Sequence, residues 1–70
     1  MFAIRFESGM YYAGGSATVE DDNGGVERVP LLEIKEHART FHRPEVAQKI
    51  ADTINEYTRK EYPRAEVVEV

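Results

Sequence analysis

Residues Arg43 to Arg59 allow one structure above all others. At roughly 100° per residue, Val46, Ala47, Ile50, Ala51, Ile54 and Tyr57 fall on one arc of about 140°. Gln48, Lys49, Asp52, Asn55, Glu56 and Arg59 fill the remainder. Such a helix has one face on a core and one in water. Pro44 belongs in its first turn, because proline lacks an N–H and fixes φ; that puts the N-cap near His42. Glu45 suits the positive end of the dipole, and Arg59 and Lys60 suit the last turn. Glu45/Lys49 and Glu56/Lys60 are favourable pairs four apart, each worth ~0.3 kcal/mol. Pro63 stops the helix, so the expected span is 43–61.

The apolar face needs a sheet to cover, and the rest of the chain reads as strands. Phe2-Ala3-Ile4-Arg5-Phe6-Glu7 alternates with period two, with Phe2, Ile4 and Phe6 on one face. Ser8-Gly9 marks a turn, and residues 10–13 return as a second strand. Gly14-Gly15 is either a bulge or the end of that strand. Residues 16–20 read as strand again. Asp21-Asp22-Asn23-Gly24-Gly25 is the strongest turn in the chain, since Asn-Gly accepts the positive φ of a tight hairpin. Residues 26–29 return from it, and Pro30 is expected to end them. Residues 14–25, rich in glycine and acidic side chains, are expected to be the most mobile. Residues 31–37 fit extended and helical spacing; the reading favours extended chain, ending in a short strand at 38–41. A final strand at 65–70 turns Val68 and Val70 inward.

The expectation is therefore one α+β domain over residues 1–70. Two layers are expected: an antiparallel or mixed sheet of three to five strands, with a single long helix on one face.

Composition narrows the function classes. Seventy residues without cysteine must draw stability from packing or self-association. The net charge is −4, and all of it lies in residues 1–34, which hold two basic and six acidic side chains. An acidic chain is a poor partner for nucleic acid in general. No stretch approaches the ~20 apolar residues of a membrane span. The first residues lack the basic region and apolar run of a signal peptide. A cytoplasmic protein is the expectation.

Few residues carry chemistry. His37 and His42 lie near Glu33, Glu36 and Glu45, but five residues is not a helical face spacing, so no metal site is expected. The turn at Glu20–Gly24 does not fit a calcium loop, because positions one and twelve would be Val19 and Pro30. Gly9, Gly14 and Gly15 match neither nucleotide pattern. Ser8 and Ser16 lie outside any nucleophile elbow. No catalytic residue and no cofactor is expected.

Two groups suit binding. Arg39, His42 and Arg43 stand at the helix entrance, where free N–H groups and the dipole favour an anion; the plainer reading is that they face water or pair locally. Tyr11 and Tyr12 are adjacent in a strand, so one joins the core and the other lies on the outer sheet face near Arg5. Tyrosine and arginine are frequent at protein interfaces and can also stack a nucleobase.

The order Phe-Ala-Ile-Arg-Phe (2–6), Met-Tyr-Tyr-Ala-Gly (10–14), Ala38-Arg39-Thr40-Phe41 entering Pro44-Glu45-Val46-Ala47, and Glu66-Val67-Val68-Glu69-Val70 resembles small uncharacterised phage and prophage proteins of Gram-positive bacteria. It departs from them at residues 14–30, where the acidic hairpin is long. The resemblance implies no catalytic or binding residues; it implies an accessory protein that acts by binding. The expected function is a non-enzymatic module for a protein partner, with homodimerisation a second form of the same reading. The alternative is a nucleic-acid regulator using Arg5, Arg39, Arg43 and a tyrosine. A small anion sensor at the helix entrance is a third.

Overall fold

A computed structural model describes all residues, 1–70. The chain runs β1 (Phe2–Phe6), β2 (Tyr11–Glu20), β3 (Val26–Glu33), a 3-10 turn (Lys35–His37), α1 (Pro44–Tyr57) and β4 (Ala65–Glu69). The strands form one antiparallel sheet in the order β3-β2-β1-β4, and α1 packs on one face. This is a two-layer α+β fold with a single helix.

The core sits where β1, β4 and α1 meet. Ile4, Phe6, Ala47, Ala51, Ile54 and Ala65 are buried together. Phe6, Ile4 and Ile54 are the largest fully buried side chains, each worth about 1.5–3 kcal/mol of burial. Tyr62 closes one end, its ring edge-on to Phe6 at 6.2 Å. Small alanines at 47 and 51 let the helix lie close to the sheet.

Several boundaries differ from the sequence expectation. Gly14-Gly15 does not end a strand: β2 continues from Tyr11 to Glu20, and its register against β3 shifts between Tyr12 and Ser16. Gly14 has φ +97°, and a Cβ there would stand 3.3 Å from the Arg39 guanidinium, so only glycine suits the bulge. Pro30 does not end β3 either. It pairs with Ser16 inside the strand. β3 is an edge strand, where one missing N–H leaves no gap in an interior ladder.

Residues 38–41 do not make a strand. Phe41 forms an isolated bridge to Phe2, with reciprocal N–H···O bonds of 2.7 and 2.8 Å. The bulge carries β2 away from β1, and Phe41 pairs with β1 instead; Arg39 N–H donates to Tyr12 O at 2.8 Å and ties this segment to β2. Residues 35–37 form one 3-10 turn rather than extended chain.

The helix is shorter than its pattern. It begins at Pro44 with Arg43 as N-cap, not His42, and it ends at Tyr57. Thr58 is extended, so Arg59 and Lys60 lie beyond the last turn. Val46, at the first turn of the apolar arc, is 44% exposed. In β4 the inward pair is Ala65 and Val67, which face Phe6 and Ile4 across the ladder. Val68 pairs with Ala3 on the other face, so the expectation of Val68 and Val70 inward was off by one residue. Ala3 is nevertheless buried, being a small side chain on a central strand.

Candidate binding surfaces

Antiparallel register settles the faces of the sheet. Arg5 is the cross-strand partner of both Tyr11 and Glu66, and Tyr11 also pairs with Glu33. Paired residues share a face, so Glu33, Tyr11, Arg5 and Glu66 make one row across all four strands. No helix covers that face. Beside the row lie Ala3 and Val68, and Leu31, which alternates with the core-facing Leu32 and is 45% exposed. Arg5 reaches Glu66 at 3.7 Å, a loose exposed ion pair worth little to stability.

Tyr12 lies on the opposite face, packed against the core with Leu32. The two adjacent tyrosines are therefore divided between core and outer face.

The helix entrance holds Arg39, His42 and Arg43, all exposed. With Thr40, Phe41 and Val46 they line an open hollow of about 240 Å³. Arg43 pairs with Glu45 at 3.5 Å. Arg39 lies 6.0 Å from the centre of the Phe41 ring and closes over Gly14. Two of the three basic groups thus already have neighbours within the chain, and Pro44 supplies no N–H to an anion.

Asp21 and His37 are engaged locally. Asp21 Oδ1 accepts the N–H groups of Asn23 and Gly25 at 2.9 and 2.8 Å, an Asx arrangement that shapes the turn. Gly24 provides the positive φ, +80°. His37 Nδ1 lies 3.3 Å from Glu33. No three acidic or histidine side chains gather in a cluster that could hold a metal ion.

Two features of the structure carry no sequence signal of their own. The acidic hairpin does not stand free: Arg59, just past the helix, holds Glu27 at 2.7 Å and Asp21 at 3.6 Å. Arg28 lies over the Tyr57 ring at 4.1 Å. The region expected to be most mobile is thus pinned to the end of α1. Burial raises the Tyr57 hydroxyl above its ordinary range, and Arg28 partly opposes this. Tyr62 is raised in the same way, chiefly by burial and then by Glu27. The second feature is Arg64, whose guanidinium donates to Asn55 O at 2.9 Å, Arg59 O at 2.6 Å and Tyr62 O at 3.0 Å. It caps the Asn55 carbonyl, left open in the last turn of α1, and ties the chain that follows to the helix end.

No helix is long and apolar enough to cross a membrane. Comparison with known proteins finds no matching family model, no similar curated protein and no similar solved structure.

Proposed function

We propose that this protein is a non-enzymatic binding module that docks another polypeptide on the open face of its sheet. The observation that carries the reading is the row Glu33–Tyr11–Arg5–Glu66 beside exposed Leu31 and half-buried Val68. It places an aromatic and an arginine side by side next to apolar Leu31 and Val68, residue types found at interface hot spots. Two carboxylates bound the row, and the chain carries a net charge of −4. The partner that complements this face presents apolar side chains flanked by lysine or arginine. The resemblance to small phage and prophage proteins supports an accessory role, and the cysteine-free composition supports a cytoplasmic setting.

The test is affinity capture from a nuclease-treated bacterial lysate, run with wild type and with Tyr11→Ala and Leu31→Asp. A protein retained by wild type and lost by both variants supports the proposal. A capture that both variants leave unchanged, or that nuclease abolishes, overturns it. If the partner is a second copy of the chain, sedimentation of the purified protein shows a dimer that Leu31→Asp dissociates.

The exposed group Arg39, His42 and Arg43 favours a second reading, a nucleic-acid regulator. That reading requires affinity that falls steeply with salt and that Arg39→Ala lowers for every sequence tested.

A further inference from the structure

On the helix side of the sheet, the bulge in β2 and the middle of α1 form the walls of a second cleft. Its volume is about 320 Å³, at the small end of ligand sites, roughly 300–1,000 Å³. Ile50 and Ile54 contribute its apolar part, and Tyr12 and Tyr57 contribute rings. Its charged lining residues are Arg28 from β3 and Lys49 from α1; none of the 13 acidic residues lines it. In a chain with net charge −4, that is a local reversal of sign.

Both cations are free to act. Lys49 takes part in no ion pair, since Glu45, four residues before it, turns to Arg43. Arg28 also has no carboxylate partner, yet its guanidinium is held in place. Its Nε donates to Ser16 Oγ at 3.0 Å, and its plane sits over Tyr57. Its two terminal nitrogens make no hydrogen bond within the chain. Arg64 is the contrast: its three nitrogens all donate to neighbouring oxygens. A guanidinium anchored at Nε and over a ring, with both terminal nitrogens unused, is preorganised for a planar or tetrahedral oxyanion. Ser16, which accepts from Arg28, keeps its own hydroxyl proton to donate.

We propose that this cleft binds a small anion with a ring-sized apolar body, a carboxylate or a phosphate monoester gripped between Arg28 and Lys49. The ring lies against Ile50 and the tyrosines, and the anionic head meets the two cations. The site is on the opposite side of the sheet from the Tyr11 face, so it stands whether or not a polypeptide docks there.

The probes are benzoate and phenyl phosphate, with benzyl alcohol as the uncharged control, each titrated into the full chain labelled with nitrogen-15. Expected are saturable shifts of the Gly15, Ser16, Lys49 and Tyr57 amides and of the Arg28 side-chain N–H. Whichever probe binds more tightly identifies the anionic head. Lys49→Met, at an exposed position that leaves the core intact, is expected to weaken binding about tenfold, the loss of one charge-assisted contact. Ser16→Ala, which frees Arg28 Nε, gives a second and smaller loss. The proposal is overturned if neither anion gives saturable shifts at millimolar concentration. It is equally overturned if benzyl alcohol binds as well as the anions, or if Lys49→Met binds them as wild type does.

Discussion

The side chain of Asn55 pairs with the backbone of Ala65 as a neighbouring strand would. Its Nδ2 donates to Ala65 O at 2.9 Å, and its Oδ1 accepts Ala65 N–H at 2.8 Å. The reason lies in the register of the central strand. Phe6 directs its N–H to Met10 O and its C=O to Gly9 N–H, on the β2 side. Its partner Ala65 therefore turns both polar groups outward, to the free edge of β4. Asn55 satisfies them and occupies the first ladder position of that edge, where another chain would otherwise add. Next to it, Glu7 Oε1 accepts Arg64 N–H at 2.7 Å and Arg64 caps α1. Helix end, edge strand and first hairpin are thus joined by one hydrogen-bonded network.

Asn55→Ala is expected to lower stability by about 2 kcal/mol, because it leaves a partly buried N–H and C=O without partners. Asn55→Asp keeps the acceptor, but its charged carboxylate sets an oxygen against Ala65 O; the protonated acid regains a donor, so the loss is expected to be smaller at acid pH. Urea denaturation of both variants checks the order. Equal midpoints for wild type and Asn55→Ala would show that water replaces the carboxamide at no cost.

Ile54→Asp is expected to abolish folding, since Ile54 is 2% exposed and an unpaired charge there has no compensation. Ile54→Ala is expected to lose about 2–5 kcal/mol. Ile50 is only half-buried, at the margin of the cleft, so Ile50→Asp is expected to fold with reduced stability. Circular dichroism melts separate the three outcomes, and a wild-type melt for Ile54→Asp would contradict the assigned core.

Arg59→Ala is expected to lose about 0.2–1 kcal/mol, as befits an exposed pair, and the loss should shrink at high salt. Amide exchange at residues 26–28 should quicken in this variant while residues 3–6 stay protected. Deletion of residues 20–25, closed by a two-residue turn, is expected to leave a cooperative melt, because the core lies between β1, α1 and β4. Loss of folding on that deletion would show that the hairpin arm is part of the core.

Alkaline pH should destabilise the fold through Tyr57 and Tyr62. Both are raised above the ordinary value of 10.0, mainly by burial. Above pH 10.0 the unfolded chain releases these protons while the folded chain still holds them, so the unfolded state gains. Their contribution is complete below that value and is lost as pH rises through the folded-state titration. Melting temperatures against pH check this. Tyr57→Phe with Tyr62→Phe should flatten the alkaline decline.

Periodicity and turn chemistry determined the α+β class, the amphipathic helix, the Asn-Gly hairpin and the division of Tyr11 from Tyr12, because each follows from interactions within a few residues. The Tyr11–Arg5 pair was legible for the same reason: a short hairpin sets its own register. Tertiary structure alone decided the rest. Pro30 lies within a strand because β3 is at the edge, a property of sheet order rather than of residues 29–31. Phe41 bridges to Phe2 because a bulge at Gly14 carries β2 away from β1. Val67 turns inward rather than Val68 because β4 takes its register from β1, at the other end of the chain. Asn55 lies on the polar arc of the helix, yet it serves the edge of β4, and Arg64 ends the helix through carbonyls that no local pattern brings together. The cleft between Arg28 and Lys49 belongs to the same class. Its two cations come to line one cleft only once the bulged hairpin folds back on α1, so neither residue carries a local sign of it.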